Sequence, residues 1–250
     1  PPRSSEGDPL LQHIQAGAPC TNPTQAIEFL MDENRNYFFL EMNTRLQVEH
    51  SVTELTTGVD LVKTQLLVAM GERLPFSQSE LEQRGHAIEV RIYAEDPASG
   101  FLPSTGTIAI LDVPNGVQIR NDLGIAEGQT VSLFYDPLLA KLTVAGASRA
   151  DAVQRMGWAL HKYSLAGVRT NLTFLRAVVQ HPAFQRGETD TGFIERYLPD
   201  WKPVPIDPIP DEVYLLAALK EALSIEKYSS AELSESSLQN DPFSPWRGGV

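Results

Sequence analysis

The sequence has little cysteine, few basic residues and no long apolar run, and each shortage excludes a class of protein. Cys20 is the only cysteine among 250 residues, which excludes an internal disulfide and a zinc site built from cysteines. Lysine and arginine number 20 against 32 aspartates and glutamates, a formal net charge of -12. Such a chain is not expected to bind duplex nucleic acid, which needs basic residues to neutralise its phosphates. With no run of about 18 apolar residues, no membrane-spanning helix is expected either.

The remaining composition is that of a folded protein from a reducing compartment. Apolar residues make up 42% of the chain, enough for one large domain or for one domain and part of a second. The single cysteine and the absence of a signal-peptide pattern make the cytoplasm the expected location, or the mitochondrial matrix in a eukaryote. The opening residues Pro1–Ser5 suggest an excerpt from a longer chain. The expected partners are small molecules or other proteins.

Two apolar runs within residues 26–42, on either side of a polar turn around Asn34, predict a β-hairpin. If the turn is centred between Asn34 and Arg35, each residue pairs with the one that brings the sum of their numbers to 69, and Glu28 lies opposite Glu41. Cross-strand partners are about 4.5–5.5 Å apart at Cβ, so two carboxylates would repel each other unless a cation lies between them. Together with Asn43 they offer the oxygen ligands that Mg²⁺ takes. A solvated polar face is the alternative interpretation.

Four polar side chains with complementary chemistry follow the second strand of this hairpin. Asn43, Arg45, Gln47 and Glu49 occupy alternate positions, so an extended backbone would point all four the same way. Arg45 suits an oxyanion, and Glu49 could remove a proton from it. A straight strand would spread the four over about 20 Å, so the backbone must curl to build one site. An ion pair between Arg45 and Glu49 is the simpler alternative.

The patterns beyond this loop predict an α+β fold with an antiparallel sheet. A helix over residues 52–70 is expected to bend near Gly58, with Asp60 as an N-cap and Gly71 as the C-cap. Alternating apolar residues and turn signals predict five further strands, over residues 86–93, 107–112, 116–120, 130–133 and 140–145.

Helices return in the second half of the chain. Apolar periodicity predicts them over residues 149–163, 171–180, 191–197 and 211–224. Asn171 or Thr170 is expected to cap the second of these. Prolines that alternate with apolar residues over residues 203–210 predict a linker before the last helix.

Two isolated residues and the absence of the common phosphate-binding motifs carry less information. Arg120 ends a predicted strand, where a lone arginine is usually part of a surface ion pair, and Lys141 is interpreted as structural. The sequence contains neither a GxxxxGK[ST] loop nor a GxGxxG motif after a strand, so any phosphate is bound without a Walker or Rossmann loop.

Several motifs together resemble one enzyme family. The segment EMNTRLQVEH at residues 41–50, followed by VTE at 52–54 and GVDLV at 58–62, resembles biotin carboxylase, an ATP-grasp enzyme. The resemblance covers about residues 26–200 and continues through RGHAIE, AEDP, FLPS, YDP and GVRTN, at residues 84–89, 94–97, 101–104, 135–137 and 167–171. It implies the C-terminal part of an ATP-grasp fold plus the biotin carboxylase C-terminal domain, an antiparallel sheet with helices.

The resemblance also implies domain boundaries. Residues 1–22 match nothing and stay unplaced, and residues 23–85 correspond to a partial ATP-grasp domain. Residues 86–200 correspond to the biotin carboxylase C-terminal domain. Residues 201–250 correspond to a linker and the start of the region that joins the biotin carrier.

For the nucleotide, the resemblance implies a metal-bridged ATP site. Members of the family use ATP to activate bicarbonate to carboxyphosphate. At the matching positions, Glu28, Glu41 and Asn43 would hold the Mg²⁺ or Mn²⁺ ions that bridge the ATP phosphates. Leu30 and Leu40, on the same hairpin, match positions that line the adenine pocket.

For the second half of the reaction, the resemblance implies a bicarbonate pocket and a biotin site. The family carboxylates N1 of biotin carried on a partner domain. Arg45, Gln47 and the Val48 backbone match the bicarbonate pocket, and Glu49 matches the base that deprotonates bicarbonate. Arg120 matches the cation that stabilises the enolate of biotin.

The C-terminal tail indicates which type of carboxylase the chain resembles, and the motifs that do not occur indicate which parts of the enzyme this sequence does not contain. The linker, the leucine-rich helix and DPFSPWR at residues 241–247 resemble the α chain of an acyl-CoA carboxylase of the propionyl-, methylcrotonyl- or acetyl-CoA type. A biotin carrier domain, a carboxyltransferase subunit and a second copy of the chain are therefore expected partners. The family's N-terminal domain, lid and biotinylation motif do not occur, so this chain alone is expected to be inactive. The alternatives are a carbamoyl-phosphate-type ligase and a non-catalytic docking module.

Overall fold

A computed structural model describes residues 26–32, 34–203 and 213–219. The chain divides into two compact units, Pro1–Pro203 and Val204–Val250. The predictions for residues 1–22, for the linker after residue 203 and for the tail after residue 219 lie outside the described residues. Within the second unit, residues 213–219 are helical, as the apolar periodicity predicts.

The predicted hairpin is present, with β1 at Ala26–Met31 and β2 at Tyr37–Asn43. Glu28 pairs with Glu41, as the sequence predicts, but the register shifts directly afterwards and Phe29 pairs with Phe39. Leu40 is therefore the extra residue of a β-bulge, and the rule that partners sum to 69 is wrong for the half of the hairpin nearer the turn. The bulge leaves the two glutamates facing each other where the hairpin ends.

The predicted bent helix is two helices, α1 at His50–Thr57 and α2 at Leu61–Ala69. Gly58 separates them in the left-handed conformation, with φ of 76°. The Asp60 side chain accepts a hydrogen bond from the Lys63 backbone at 2.8 Å, which confirms it as the N-cap of α2. The expected C-cap at Gly71 is wrong by one residue, since α2 ends at Ala69 and Met70 is its C-cap.

The other strands are more numerous than the sequence predicts. They are β3 His86–Tyr93, β4 Glu95–Asp96, β5 Leu102–Pro103, β6 Gly106–Thr107, β7 Ile110–Asp112, β8 Ile119–Leu123, β9 Thr130–Val131, β10 Leu138–Gly146 and β11 Ser164–Ala166. The prediction of one strand over residues 107–112 is wrong: it splits into β6 and β7 around Ile108, which is buried. The strand predicted over residues 116–120 starts at Ile119, because Gln118 has a positive φ of 60°.

The central sheet has the antiparallel order β3–β10–β8. Because side chains alternate across a strand, its two faces differ in character. One face is apolar and packs on helix α3, Arg149–Lys162, to form the core, with Ile88, Ile92, Leu142, Val144, Met156 and Leu160. The other face is polar and lies against α1.

The remaining helices close the core. Ser148 and Asp151 form a capping box at the start of α3, and α4, α5 and α6 span Leu172–Gln180, Pro182–Arg186 and Phe193–Tyr197. Asn171 is the N-cap residue of α4, as the sequence predicts, but its side chain makes no cap bond. Its amide instead accepts from the Tyr93 backbone at 3.0 Å and donates to the Arg91 carbonyl at 3.1 Å, tying α4 to the end of β3. Across the described residues, no helix is both long and apolar enough to cross a bilayer.

Candidate active site on the polar face of the sheet

The polar face of the central sheet gathers charged groups from three strands. Strand pairing sets Lys141 of β10 beside Arg91 of β3 on one side and Asp122 of β8 on the other, and aligns Thr143 with Glu89 and Arg120. Paired residues project to the same face of a sheet. All six side chains therefore lie beneath α1 and the loop of residues 44–49 that leads into it.

The hairpin residues expected to bind a metal are in mutual contact. Glu28 Oε1 accepts hydrogen bonds from the Asn43 amide at 2.7 Å and from the Gln47 amide at 2.6 Å. The same Asn43 nitrogen donates to Glu41 Oε1 at 3.1 Å. The two carboxylates that the register sets opposite each other thus share one donor, which offsets their repulsion.

This donor set fits a hard divalent cation. A rotation of the Asn43 amide would present its oxygen between Glu28 and Glu41, giving three oxygen ligands of the kind that Mg²⁺ and Mn²⁺ take. Within the described residues, no group of three or more His, Cys, Asp or Glu side chains is arranged to hold a metal. A cation at this position would therefore complete its coordination with water or with phosphate oxygens.

The loop after β2 is curled, as one site requires. Strand β2 ends at Asn43, a turn follows at Val48 and Glu49, and α1 begins at His50. The extended arrangement with four side chains pointing one way is not formed. Arg45 is exposed, its guanidinium lies 3.3 Å from the Leu46 carbonyl, and it makes no ion pair with any described residue.

Glu49 pairs with a residue that the sequence does not single out. Its Oε2 lies 2.9 Å from Arg91 Nη2, and both side chains are partly exposed, so the alternative of a pair with Arg45 is wrong. Burial lowers the pKa of Arg91, but the Tyr93 hydroxyl and the charges of Glu49 and Glu89 outweigh it and raise the pKa. Arg91 is thus a permanent cation beside Glu49, and it leaves the guanidinium of Arg45 available to an anion.

The backbone of the loop is held from below. Lys141 Nζ donates to the Val48 carbonyl at 2.5 Å. The Gln47 carbonyl lies 2.9 Å from His50 Nδ1 and accepts from the His50 backbone at 3.3 Å. The two successive peptide groups that contain the Gln47 and Val48 carbonyls are therefore fixed in orientation.

Arg120 is part of a partly buried charge network and is not an isolated surface arginine. Its guanidinium bonds Asp122 at 3.0 Å and Glu54 at 2.6 Å. The hydrogen bond that Arg120 donates to Asp122 raises the pKa of Arg120, with a further contribution from Glu54, and burial opposes both. Burial raises the pKa of Asp122, but Arg120 and Lys141 overcome it, so that its pKa lies below the ordinary value.

Beneath these groups lies a hydroxyl cluster that the sequence analysis missed. Ser51 and Thr143 are both fully buried, and their hydroxyls are 2.8 Å apart. Both also bond to the Glu89 carboxylate. The signal was present in HAIEVRIY, where Glu89 and Arg91 alternate with the apolar residues and therefore lie together on the opposite face of the strand.

The two leucines expected at the adenine pocket lie on the hairpin and are about half exposed, Leu30 at 51% and Leu40 at 50%.

A separate cavity of about 780 Å³ lies between α3 and the ends of β8 and β10. Its walls include Gln118, Arg155 and Trp158 and none of the expected site residues. That cavity is therefore not the candidate site.

Comparisons with known proteins show which families the chain is similar to. Residues 89–196 match the model of the biotin carboxylase C-terminal domain, and residues 10–77 match that of the carbamoyl-phosphate synthase L chain, ATP binding domain. The chain is 52% identical over 172 residues to a biotin carboxylase of Halalkalibacterium halodurans, covering 69% of this chain and 38% of the relative. It is 42% identical over 219 residues to the mitochondrial methylcrotonoyl-CoA carboxylase subunit alpha of Mus musculus, covering 87% and 30%. The chain thus spans less than two fifths of either relative.

Solved structures show the same likeness. One is the biotin carboxylase domain dimer of Hydrogenobacter thermophilus 2-oxoglutarate carboxylase in complex with MgADP, ADP and bicarbonate. It has a TM-score of 0.68 and 44% sequence identity, over 69% of this chain and 38% of that chain. Another is the biotin carboxylase subunit of pyruvate carboxylase, with a TM-score of 0.69 and 39% identity, over 71% and 40%.

Proposed function

Because the chain belongs to the biotin carboxylase family, we propose that it supplies the bicarbonate- and biotin-handling part of an ATP-dependent biotin carboxylase. The observation that carries this proposal is the meeting of two groups at one short loop. Glu28, Glu41 and Asn43 meet at its start, and Glu49 ends it beside a permanent cation, Arg91. A metal-binding set next to a base and an anion site is what ATP-driven activation of bicarbonate requires.

The hairpin would serve the nucleotide. Glu28, Glu41 and Asn43 would hold Mg²⁺ or Mn²⁺, which would neutralise charge on the ATP phosphates during transfer of the terminal phosphoryl group. Leu30 and Leu40 would lie against the adenine. Their half-exposed side chains offer apolar surface for a flat base.

The loop would bind and activate bicarbonate. Arg45 and the Gln47 amide would hold the anion together with the Val48 backbone, and Glu49 would take the proton from its hydroxyl. The carbonate oxygen freed in this way would attack the terminal phosphoryl group of ATP, forming carboxyphosphate as the bond to ADP breaks and ADP leaves. Arg91 would keep the Glu49 carboxylate in place, as their 2.9 Å contact supports.

Arg120 would act on biotin. Removal of the proton from N1 of biotin places negative charge on its ureido oxygen, and a fixed cation nearby stabilises that enolate. Asp122 and Glu54 hold the guanidinium by two ion pairs and raise its pKa, so it stays charged throughout. The carboxyl group of carboxyphosphate would then pass to the N1 of biotin, with inorganic phosphate as the leaving group.

The proposal extends to organisation and partners. Residues 23–85 would form part of an ATP-grasp domain, residues 86–200 the biotin carboxylase C-terminal domain, and residues 201–250 a linker toward the carrier region. The expectation that residues 1–22 match nothing is wrong for residues 10–22, which belong to the match with an ATP binding domain, and residues 1–9 stay unassigned. A biotin carrier domain, a carboxyltransferase subunit and a second copy of the chain would be its partners. We propose a cytoplasmic location, or the mitochondrial matrix in a eukaryote.

The test is Glu49→Gln in the complete protein that carries this sequence. Removing a general base should lower bicarbonate-dependent ATP hydrolysis and biotin carboxylation by at least about 100-fold. Glu72→Gln, at an exposed position outside the site, is the matched control and should keep wild-type rates. Full carboxylation by the Glu49→Gln enzyme would refute the assignment of the base.

The match of residues 10–77 to a domain named for carbamoyl-phosphate synthase favours a second candidate. In this case ammonia replaces biotin as the acceptor. Avidin, which sequesters biotin, separates the two: it should stop turnover of a biotin carboxylase and leave a carbamoyl-phosphate-type ligase active.

A further inference from the structure

Lys141 occupies an unusual position for a lysine. It lies in the middle of β10, the central strand of the sheet, and its side chain is only 10% exposed. Its ammonium group lies 2.5 Å from the Val48 carbonyl, 3.2 Å from Asp122 Oδ2 and 3.4 Å from His50 Nδ1. One buried cation thus contacts the loop, the first turn of α1 and the neighbouring strand.

The contact with Val48 fixes the orientation of a peptide group. A peptide unit is planar, so holding the Val48 carbonyl also sets the direction of the Glu49 N–H. The preceding peptide is also held by His50, whose backbone N–H donates to the Gln47 carbonyl at 3.3 Å and whose Nδ1 lies 2.9 Å from the same oxygen. Lys141 and His50 therefore set the path of the backbone between the Gln47 and Glu49 side chains.

The contact with Asp122 reaches the other end of the site. Asp122 Oδ1 is bonded to Arg120, and Asp122 Oδ2 lies 3.2 Å from Lys141. Since both cations share one carboxylate, the position of the Arg120 guanidinium depends on Lys141. The lysine joins the loop to the arginine through two contacts.

Stability alone does not account for a charge at this place. Burying an ammonium costs several kcal/mol before its contacts are counted, and a well-packed apolar side chain is often no less stabilising. The opposite face of β10 shows that apolar residues suit this sheet, with Leu142 and Val144 fully buried. The charge at residue 141 is better explained by what it holds in place.

We infer that Lys141 is a positioning residue for bicarbonate, acting through the Val48 peptide and, by way of Asp122, on Arg120. This inference rests on the proposed function and goes beyond it by assigning a role to a residue that need not touch either substrate. The sequence alone suggests only a structural role for Lys141, and the inference differs from that interpretation.

The test measures steady-state kinetics of the complete protein with Lys141→Met, with ATP, bicarbonate and biotin varied in turn. The KM for bicarbonate should rise about 10- to 100-fold, because a displaced loop loses the geometry that holds the anion. The KM for ATP should stay within about twofold of wild type, since the Glu28 and Glu41 contacts do not involve Lys141. Lys162→Met, at an exposed position of α3, is the matched control and should leave both constants unchanged.

A second variant covers the case in which Lys141→Met does not fold. Lys141→Arg keeps the charge but has a planar head group that fits the three contacts less well, so its KM for bicarbonate should lie between those of wild type and Lys141→Met. A wild-type KM for bicarbonate in the folded variants, or an equal rise in both KM values, would overturn the inference. If the wild-type protein itself shows no bicarbonate-dependent turnover, the proposed function fails instead, and the two failures are distinguishable.

Discussion

At the scale of single residues, the structure contains charged groups that are paired and a tyrosine hydroxyl that is not. On the polar face of the sheet, Asp122 forms ion pairs with two cations and Glu49 pairs with Arg91. Within the described part of the chain, the hydroxyl of Tyr163, after the end of α3, is buried and has no hydrogen-bond partner. Burial raises the pKa of Tyr163 from 10.0 to about 12. A satisfied charge network and an unsatisfied hydroxyl should respond to substitution in opposite ways.

We expect Tyr163→Phe to stabilise the protein by about 1 kcal/mol at neutral pH, because it removes a buried hydroxyl that has no partner. The pH dependence has a defined sign. A pKa raised by folding contributes stability that is complete below pH 10.0 and is lost as the pH rises through about 12. The variant should lack this alkaline loss.

Urea unfolding at neutral pH and above pH 10.0 measures both effects. Tyr135→Phe is the matched control, because Tyr135 is 84% exposed, and it should change neither value. A Tyr163→Phe protein less stable than wild type at neutral pH would mean that the hydroxyl does have a partner.

At the scale of elements, the sequence correctly predicted features that depend on interactions between neighbouring residues. The hairpin, the break at Gly58 and the Asp60 cap follow from turn and capping chemistry and are confirmed. The bulge at Leu40 could not be predicted from the sequence, because a leucine at this position fits a regularly paired strand equally well.

The misses come from contacts that are distant in sequence. Asn171 has the chemistry of a helix cap, but the Tyr93 backbone at the end of β3 competes for its side chain. Arg91 meets Glu49 across 42 residues, and nothing near either residue predicts the other. The resemblance to a known family named the individual site residues, whereas the spacing alone left a simple ion pair as the preferred interpretation.

Two glycines allow a matched test of how elements approach one another. Gly167, after β11, has φ of 109°, and a Cβ there would overlap the Thr107 carbonyl and lie 2.8 Å from the Ala109 nitrogen. Gly157, inside α3, has nothing within 4 Å of the same position.

Gly167→Ala should therefore destabilise the protein by at least about 3 kcal/mol, through backbone strain and overlap with backbone atoms. Gly157→Ala should stabilise it by about 0.5–1 kcal/mol, since alanine suits a helix interior better than glycine. Midpoints of urea unfolding for the two variants give the comparison. Equal effects would show that the close approach of β6 and β11 is not retained in solution.

At the scale of the whole molecule, the first unit contains a well-packed core and a hairpin whose apolar side chains are exposed. The sheet and α3 enclose side chains such as Ile92, Leu142 and Met156 that are wholly buried. The hairpin, in contrast, exposes Phe38 at 56% and Phe39 at 66%. An apolar surface of this kind is typical of a contact with another domain or with a ligand. In the proposed enzyme that surface would meet ATP and the rest of the ATP-grasp domain.

This asymmetry predicts that the 250-residue chain by itself hydrolyses no ATP in response to bicarbonate. It carries the loop with Arg45 and Glu49, but Leu30 and Leu40 remain about half exposed and cannot enclose an adenine. It also spans only 38% and 30% of the two relatives with which it was compared. The measurement is phosphate release with and without bicarbonate, and the complete protein carrying this sequence serves as the positive control. Circular dichroism must show that the chain is folded, so that inactivity reflects a missing part of the site. Bicarbonate-dependent turnover by the folded chain would mean that the ATP site is already complete within these residues, and the proposed division of the catalytic machinery would then be wrong.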